Sequence, residues 1–249
     1  MKKKLNNRYK KKTLTYKFIA NCSKVYYKKN EYIGLENLPD EPCIITGNHS
    51  KLHGPINAEL YFPTKKLIWC DEPMMNKKEF IGYAYKTFFN GKPNFFHKIG
   101  MHILAPIVAN VMSSADSLPV YRDMRIMKTY KATTEAINNG LNVVILPECT
   151  EEYNEITNCF NEYFVDAARF YYKHYQKELL FVPMYYSVRL KKMVFGKPIR
   201  FDSKNSIDEE RKRICAYLMD EITKIAKTLP KHVVVPFNNV DKSQYKYSK

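Results

Sequence analysis

The run at residues 142–147, NVVILP, constrains the fold of this chain more than any other part of the sequence. Four apolar residues follow one another without a polar interruption, a pattern typical of a strand that is buried on both faces in a parallel sheet. A helical pattern over residues 125–139 precedes the run and stops at Gly140, a residue suited to the end of a helix. Together they predict a helix and a strand of an α/β fold.

The same alternation of strand and helix continues along the chain. Ser206 and Glu209 form a capping box for a last helix, which must end before Pro230. Further strands are predicted at residues 32–38, 43–47, 66–70 and 179–186, and further helices at 161–175 and at 55–60, where Pro55 would take the first position. This order predicts an α/β domain with a largely parallel sheet flanked by helices.

The first 30 residues carry eleven lysine or arginine side chains and no carboxylate. Leu14, Phe18, Cys22 and Val25 recur there at helical spacing, which predicts a basic amphipathic helix. Such a helix either lies on an anionic membrane surface or packs against its own domain with its lysines in water, and we favour the membrane. The predicted organisation is a basic helix or arm over residues 1–30, an α/β domain over 31–240 and a flexible tail over 241–249.

The whole chain has a net charge of +16, from 41 basic and 25 acidic side chains. This excess predicts an anionic partner, either a membrane surface or a nucleic acid. The sequence has no recognised nucleic-acid-binding motif, and the aromatic residues near the basic segment fall mostly into the helical pattern. We therefore expect no specific nucleic-acid binding, and any nonspecific binding should disappear with modest salt.

The apolar and cysteine residues bear on the cellular location. The longest apolar candidate, residues 99–112, is shorter than 18 residues and contains His102 and Pro106, so we expect no membrane-spanning helix. The N-terminus has no apolar signal core. The six cysteines are scattered without paired spacing, which argues against a zinc site and a disulfide framework. We predict a cytoplasmic protein, peripheral on the inner membrane face.

Three polar segments stand at or near the ends of predicted strands. They are TGNHSKLHGP at residues 46–55, LPVYRD at 118–123 and ILPECTEE at 145–152. In α/β proteins, ligands and catalytic groups gather beyond the carboxyl ends of the parallel strands. The segments therefore predict one site at that edge of the sheet, with His49 as its candidate general base.

The order of these segments resembles the glycerolipid acyltransferase family, whose members acylate lysophosphatidic acid and related acceptors. That family has a block of the type N-H-x-x-x-x-D, a block that ends in arginine after an apolar pair, a block of the type F-P-E-G-T-R, and an apolar run with a central proline. The matching residues here are Asn48 with His49, Val120 and Tyr121 before Arg122, LPECTE at 146–151, and FVPM at 181–184. The resemblance covers roughly residues 30–225.

The resemblance implies transfer of a fatty acyl chain from an acyl thioester, either acyl-coenzyme A or acyl carrier protein, to a hydroxyl of a glycerolipid or lysophospholipid-type acceptor. We expect no other cofactor and no metal, because His49 and His53 are two possible ligands without a recognisable third one. The histidine of the first block takes the proton of the acceptor hydroxyl, a role that falls to His49 here. Glu148 is implied as a second catalytic residue, on the acceptor's glycerol hydroxyls or turned toward His49. Asn48, Arg122 and Thr150 are implied as substrate-binding residues, with Arg122 on the acceptor's phosphate.

Gly54 departs from the family pattern, because the family has an aspartate at this place to orient its histidine. The ring of His49 must then be oriented by Glu148, by His53 or by a backbone carbonyl. Gly54 and Pro55 have the composition of a turn, so we expect the glycine to be structural, at a positive φ.

Glu151 is a second departure, because the family has a basic residue at this place in its third block. A carboxylate there repels a phosphate. Either Lys191 or Lys192 replaces the missing cation, or the acceptor is not lysophosphatidic acid. The alternative to an enzyme is a non-catalytic lipid-binding relative whose site has lost its carboxylate.

Overall fold

The computed structural model describes residues 12–89 and 91–249, and the chain forms two compact units. We call the first the helical unit; its described residues are 12–27, 69–89 and 91–129. The second, the core unit, comprises residues 28–68 and 130–249. The predicted division was an arm, one domain and a tail. The observed division differs from it, because residues 69–89 and 91–129 form a unit with residues 12–27.

The core unit contains the central sheet. Its strands are Glu31–Ile33 (β1), Ile44–Gly47 (β2), the first three residues of Lys66–Asp71 (β3), Asn142–Ile145 (β5), Leu180–Ser187 (β8), Lys192–Phe195 (β9) and Ile199–Arg200 (β10). The order is β1-β9-β8-β2-β5-β3, with β10 paired to β8. All pairs are parallel except β8 with β9 and β8 with β10. The predicted α/β fold with a largely parallel sheet is confirmed.

Helices flank this sheet. They are His53–Tyr61 (α2), Ile126–Asn138 (α5, in this unit from Tyr130), Asp166–Tyr175 (α6) and Ile207–Thr228 (α7). The predicted capping box starts α7, with the Glu209 N–H donating to Ser206 Oγ at 3.2 Å and the Ser206 N–H donating to Glu209 Oε2 at 2.9 Å. Ile214, Leu218 and Ile222 are fully buried where α7 contacts β8.

The first four residues of the run NVVILP form β5, and its three apolar residues are buried as the composition predicts. Ile45 of β2 lies between Val144 of β5 and Val182 of β8, and all three are fully buried. Thr46 is opposite Ile145, so β2 and β5 end side by side. The segments that follow these two strands, residues 48–52 and 146–148, are therefore brought together.

Some predicted boundaries are wrong for local reasons. The strand expected at 32–38 ends at Ile33, because Gly34 turns the chain with a φ of 76° into a short 3-10 helix, Leu35–Asn37. A side chain at Gly34 would overlap the carbonyl of Phe195. Pro55 is the third residue of α2 instead of the first.

The helical unit consists mainly of three helices, Leu14–Tyr26 (α1), Lys77–Phe88 (α3) and Phe95–Ser114 (α4). Phe80 and Ala84 of α3 pack with Ala105 of α4 in a small core. Ser117–Val120 (β4) follows and pairs with β3. The sequence patterns used above predicted neither α3 nor the full length of α4.

The predicted helix α1 exists, but its apolar stripe faces solvent. Leu14 is 84% exposed, Phe18 67% and Val25 82%, and Cys22 is also exposed. The half-buried face is a different one, which includes Tyr16 and packs toward α4. Residues 1–11 of the predicted basic arm lie outside the described residues.

The apolar segment around 99–112 was predicted to be too short to cross a membrane, but the helix that contains it is longer than predicted. Within the described residues, one helix, α4, is long and apolar enough for a span, with 20 residues, a mean hydropathy of 1.3 in its best window and 11% of that window buried. His102 and Pro106 are accommodated within it. Length and composition alone do not decide whether such a helix spans or lies on a membrane.

The tail from Asp241, predicted to be flexible, is packed against the core unit. The Ser248 N–H donates to the carbonyl of His232 at 3.0 Å, and Ser248 is fully buried. A short 3-10 helix, Lys242–Gln244, lies between Asp241 and this contact. The prediction failed because these partners are far from the tail in sequence.

Candidate active site

The loop after β2 is fastened by Asn48. This side chain is 2% exposed, and its amide nitrogen donates to Ser50 Oγ at 2.8 Å and to the carbonyl of Tyr186 at 3.0 Å. Its amide oxygen accepts the Tyr186 N–H at 2.8 Å. Asn48 therefore joins the loop to β8, and both ends of its amide are engaged within the protein.

His49 follows, half-buried, with its ring Nδ1 bonded to the backbone carbonyl of Lys51. A carbonyl oxygen can only accept, so Nδ1 carries the proton. The neutral ring then has its lone pair on Nε2, the atom that can take a proton. Of the three candidates for orienting the ring, the structure shows a backbone carbonyl.

The loop reaches this geometry through two consecutive left-handed residues, Ser50 with a φ of 48° and Lys51 with a φ of 53°. For residues other than glycine each such conformation costs about 1 kcal/mol. The turn points the Lys51 carbonyl back at the imidazole. The contacts of Asn48 and Lys51 therefore stabilise a strained loop conformation, and this conformation orients the ring of His49.

Gly54 is structural, but not for the predicted reason. It lies in the first turn of α2 without a positive φ. Its N–H donates to the carbonyl of His49 at 3.1 Å, and a β-carbon at this position would lie 2.5 Å from that same oxygen and 3.0 Å from the carbonyl oxygen of Asn48. The close approach of α2 to the loop leaves room for glycine only.

Glu148 begins Glu148–Glu152 (β6), which forms a hairpin with Asn158–Phe160 (β7). Its carboxylate accepts the backbone N–H of His49 and, at 2.9 Å, that of Asn158. Burial raises the pKa of Glu148 to about 7, and these two hydrogen bonds act in the opposite direction. Glu148 thus links two segments of the chain, because its carboxylate binds the backbone of His49 and the backbone of Asn158.

Replacing Glu148 by glutamine should change how stability depends on pH. A carboxyl whose pKa is raised on folding contributes stability that is present below its ordinary pKa and is lost as the pH rises through about 7. The expected loss is about 3 kcal/mol between pH 4.5 and 8. Urea unfolding of both proteins at several pH values measures it, because all other groups cancel in the difference. Parallel curves for the two proteins would refute the raised pKa.

The remaining residues of the third block lie on β6. Thr150 is exposed, and its carbonyl accepts from the side chains of Asn158 at 3.4 Å and Asn238 at 3.0 Å. Glu151 is exposed as well. The hydroxyl of Thr150 is therefore accessible from solvent two residues beyond Glu148.

Arg122 belongs to the helical unit, where it forms a two-pronged ion pair with Asp71. Its Nε donates to Asp71 Oδ1 at 3.0 Å and its terminal nitrogen lies 2.9 Å from the same oxygen and 3.2 Å from Oδ2. Arg122 is 70% exposed, and Tyr83 also donates to Asp71 at 3.1 Å. The adjacent Asp123 pairs with Arg125 instead. A phosphate that binds Arg122 would compete with the carboxylate of Asp71.

His53 lies at the start of α2, and burial together with the nearby charge of Lys51 lowers its pKa. Over residues 12–89 and 91–249, no group of three or more histidine, cysteine or acidic side chains is placed to hold a metal ion.

The C-terminal segment contributes residues that sequence reasoning missed. The ring of Phe237 meets the ring of His49 edge to face, with centroids 5.3 Å apart. Asn239 and Val240 accept from the ammonium group of Lys51 at 3.4 and 3.1 Å. The signal in the sequence is weak, because a single phenylalanine after a proline does not reveal which part of the fold it meets.

Taken together, the core unit is an α/β domain with a site centred on one histidine at the carboxyl edge of its sheet. The structure brings Asn48, His49 and Glu148 together and places Thr150 on the adjoining strand. The ring of His49 is half-buried and its Nδ1 is bonded to the Lys51 carbonyl, while the buried Glu148 accepts the backbone N–H of His49. Such an arrangement is suited to removing a proton from a bound hydroxyl.

Comparison with solved structures finds a similar fold. The chain is similar to the crystal structure of PlsC, the 1-acyl-sn-glycerophosphate (LPA) acyltransferase from Thermotoga maritima, with a TM-score of 0.49 and 14% sequence identity over 85% of this chain and 78% of that chain. No protein-family model matches the chain, and no curated protein matches it.

Proposed function

We propose that the protein is an O-acyltransferase that moves a fatty acyl chain from an acyl thioester to a hydroxyl of a glycerolipid or lysophospholipid-type acceptor, with His49 as general base. The observation that carries the proposal is the hydrogen bond from His49 Nδ1 to the Lys51 carbonyl, in a loop at the carboxyl end of a central parallel strand. This hydrogen bond leaves Nε2 as the basic atom of the ring. The histidine is also the residue that the match to the four sequence blocks assigns as the base.

The reaction needs one base and no nucleophile from the protein. Nε2 of His49 takes the proton of the acceptor hydroxyl, and the oxygen attacks the thioester carbonyl. The tetrahedral intermediate collapses, the carbon–sulfur bond breaks, and the imidazolium returns its proton to the leaving thiolate. The products are an ester and a free thiol of coenzyme A or acyl carrier protein.

The other site residues divide between support and substrate binding. Asn48 and Glu148 are engaged with the backbone of Tyr186 and His49, so we assign them the role of holding the loop. Thr150, exposed in this structure, is assigned to an acceptor hydroxyl. Phosphate binding by Arg122 stays a prediction from the sequence resemblance. Glu151, also exposed, would favour acceptors with little negative charge beside Thr150.

A screen of thiol release tests the proposal. The purified protein is incubated with acyl-coenzyme A and acyl carrier protein donors of several chain lengths, each with phosphorylated and unphosphorylated acceptors. The proposal expects thiol release that depends on the acceptor. Binding of lipid without thiol release under every condition would favour the rival, a non-catalytic lipid-binding protein, which the glycine at position 54 also suggests.

The exposed faces of α1 and α4 support a peripheral location on an anionic membrane, reached from the cytoplasm. On α4, Phe95 is 70% exposed, Phe96 79% and Ile103 63%. No aspartate or glutamate occurs from residue 80 to 115, whereas three lysines do. Apolar side chains flanked by lysines fit a surface of anionic headgroups over acyl chains. Ala105 and Ala109 are buried within the helical unit, so we propose that α4 lies on the membrane and does not span it.

Replacing Phe95 and Phe96 together by serine should weaken binding to vesicles of anionic phospholipid by at least about tenfold, since each buried phenylalanine contributes on the order of 2 kcal/mol. Leu35→Ser is the matched control, because Leu35 is a 44% exposed apolar residue of the core unit. Co-sedimentation with vesicles at low and high salt measures the effect. Equal binding of the double variant and the control would place the membrane contact elsewhere.

A further inference from the structure

The C-terminal residues 232–248, which we call the C-terminal strap, form a loop closed at its base. Its two ends meet in an antiparallel bridge between Val233 and Tyr247, with the Val234 N–H donating to the carbonyl of Lys246 at 2.9 Å. The base is tied to the sheet, because the Tyr185 hydroxyl lies 2.7 Å from Nε2 of the buried His232. The strap therefore leaves the sheet and returns to it as one fixed element.

The middle of the strap contacts the loop that carries His49 at two places. The ring of Phe237 packs edge to face against the imidazole, with an angle of 75° between the rings. Farther along, the ammonium group of Lys51 donates to the Val240 carbonyl at 3.1 Å and lies 5.1 Å from the centre of the Tyr245 ring. An adjacent contact ties the strap to β6, where the Asn238 side chain donates to the Thr150 carbonyl.

Lys51 connects the strap with the base. Its backbone carbonyl accepts the proton of His49 Nδ1, and its side chain is bound by the strap. The left-handed φ of Lys51 is unfavourable by itself. Contacts at the end of the Lys51 side chain therefore help to hold its backbone carbonyl in place. The cation–π contact with Tyr245 and the hydrogen bonds to the strap are contacts of that kind.

We propose that the C-terminal strap positions His49 for catalysis, with Phe237 and Lys51 as its positioning residues. Phe237 limits rotation of the ring, and the strap's hold on Lys51 keeps the carbonyl aimed at Nδ1. The strap thereby performs the orienting task of a carboxylate, which the glycine at position 54 cannot perform. The role of the strap in catalysis rests on the proposed acyl transfer. Its effect on the orientation of the His49 ring does not.

Nitrogen-15 NMR of histidine-labelled protein tests the strap directly, because the shifts of the two ring nitrogens report which one carries the proton. The signals of His49 are identified by their loss in His49→Ala. The wild-type protein should show one tautomer, with the proton on Nδ1. Phe237→Ala and Lys51→Met should each give a mixture of tautomers and lower kcat about tenfold with little change in KM. Phe237→Tyr should restore both.

Lys246→Met is the matched control, because Lys246 belongs to the strap and pairs with Glu152 at 3.1 Å, away from His49. It should leave the tautomer and kcat unchanged. Should Phe237→Ala fail to fold, Lys51→Met still gives the answer, since it retains the backbone carbonyl. A single unchanged tautomer in both variants would overturn the inference even if the wild type is active. A tautomer shift in a wild type without acyl transfer would uphold the inference and refute the proposed function.

Discussion

His49→Ala is expected to lower acyl transfer by about a hundredfold to ten-thousandfold, the range that a general base contributes. The variant loses the atom that takes the proton of the acceptor hydroxyl. Glu148 is buried and already accepts two backbone N–H groups, so it cannot take over the task. Turnover is measured as acceptor-dependent thiol release at saturating donor.

The fold should survive this change. The main-chain contacts that hold residue 49, including the N–H bond to Glu148 and the carbonyl bond from Gly54, do not depend on the side chain. The melting temperature is therefore the control, and it should shift by only a few degrees. Undiminished turnover in a folded His49→Ala protein would remove His49 from the mechanism.

Gly54→Asp should lower both stability and activity instead of restoring the carboxylate found in the glycerolipid acyltransferase family. A β-carbon at this position would lie 2.5 Å from the carbonyl oxygen of His49, so the loop or the start of α2 must move. Overpacking of this kind costs about 1–3 kcal/mol. A displaced loop also loses the alignment of the Lys51 carbonyl with Nδ1, so kcat should fall as well.

Gly54→Ala and Gly54→Asn separate the shape of the new side chain from its charge. All three variants add the same β-carbon, so all three should lose a similar free energy of unfolding and a similar share of activity. Urea unfolding and thiol release are measured on each. A gain in turnover in the aspartate variant alone would show that His49 lacks a partner, and that the carbonyl of Lys51 does not orient it.

The sequence predicted those parts of the fold that depend on neighbouring residues. The apolar composition of β5 and the capping box of α7 are local signals, and both were confirmed. The sequence predicted no membrane-spanning helix at 99–112, because this apolar segment is shorter than 18 residues and contains His102 and Pro106. In the structure, the exposed side of α4 leaves room for both, so they do not end the helix.

The site was predicted in part, for a similar reason. The order of the polar segments indicated that His49 and Glu148 follow adjacent strands, and they do meet. The partner of the ring is a backbone carbonyl. Every residue has such a carbonyl, so no residue type in the sequence indicates which one binds the ring. The contacts of Phe237 with His49 and of Lys51 with Val240 arise only through the packing of the strap. The ion pair of Arg122 with Asp71 joins residues that are far apart in the sequence, and no sequence pattern indicated it.

The most direct test of the account is to identify the product by mass spectrometry. The wild-type protein is incubated with an acyl thioester and a lysophospholipid-type acceptor, and the new ester and the free thiol are both quantified. The account predicts one ester for each thiol released, and both products lowered by about a hundredfold or more with His49→Ala. Thiol release without ester would identify a thioesterase, and the absence of both products across all donors and acceptors would contradict acyl transfer.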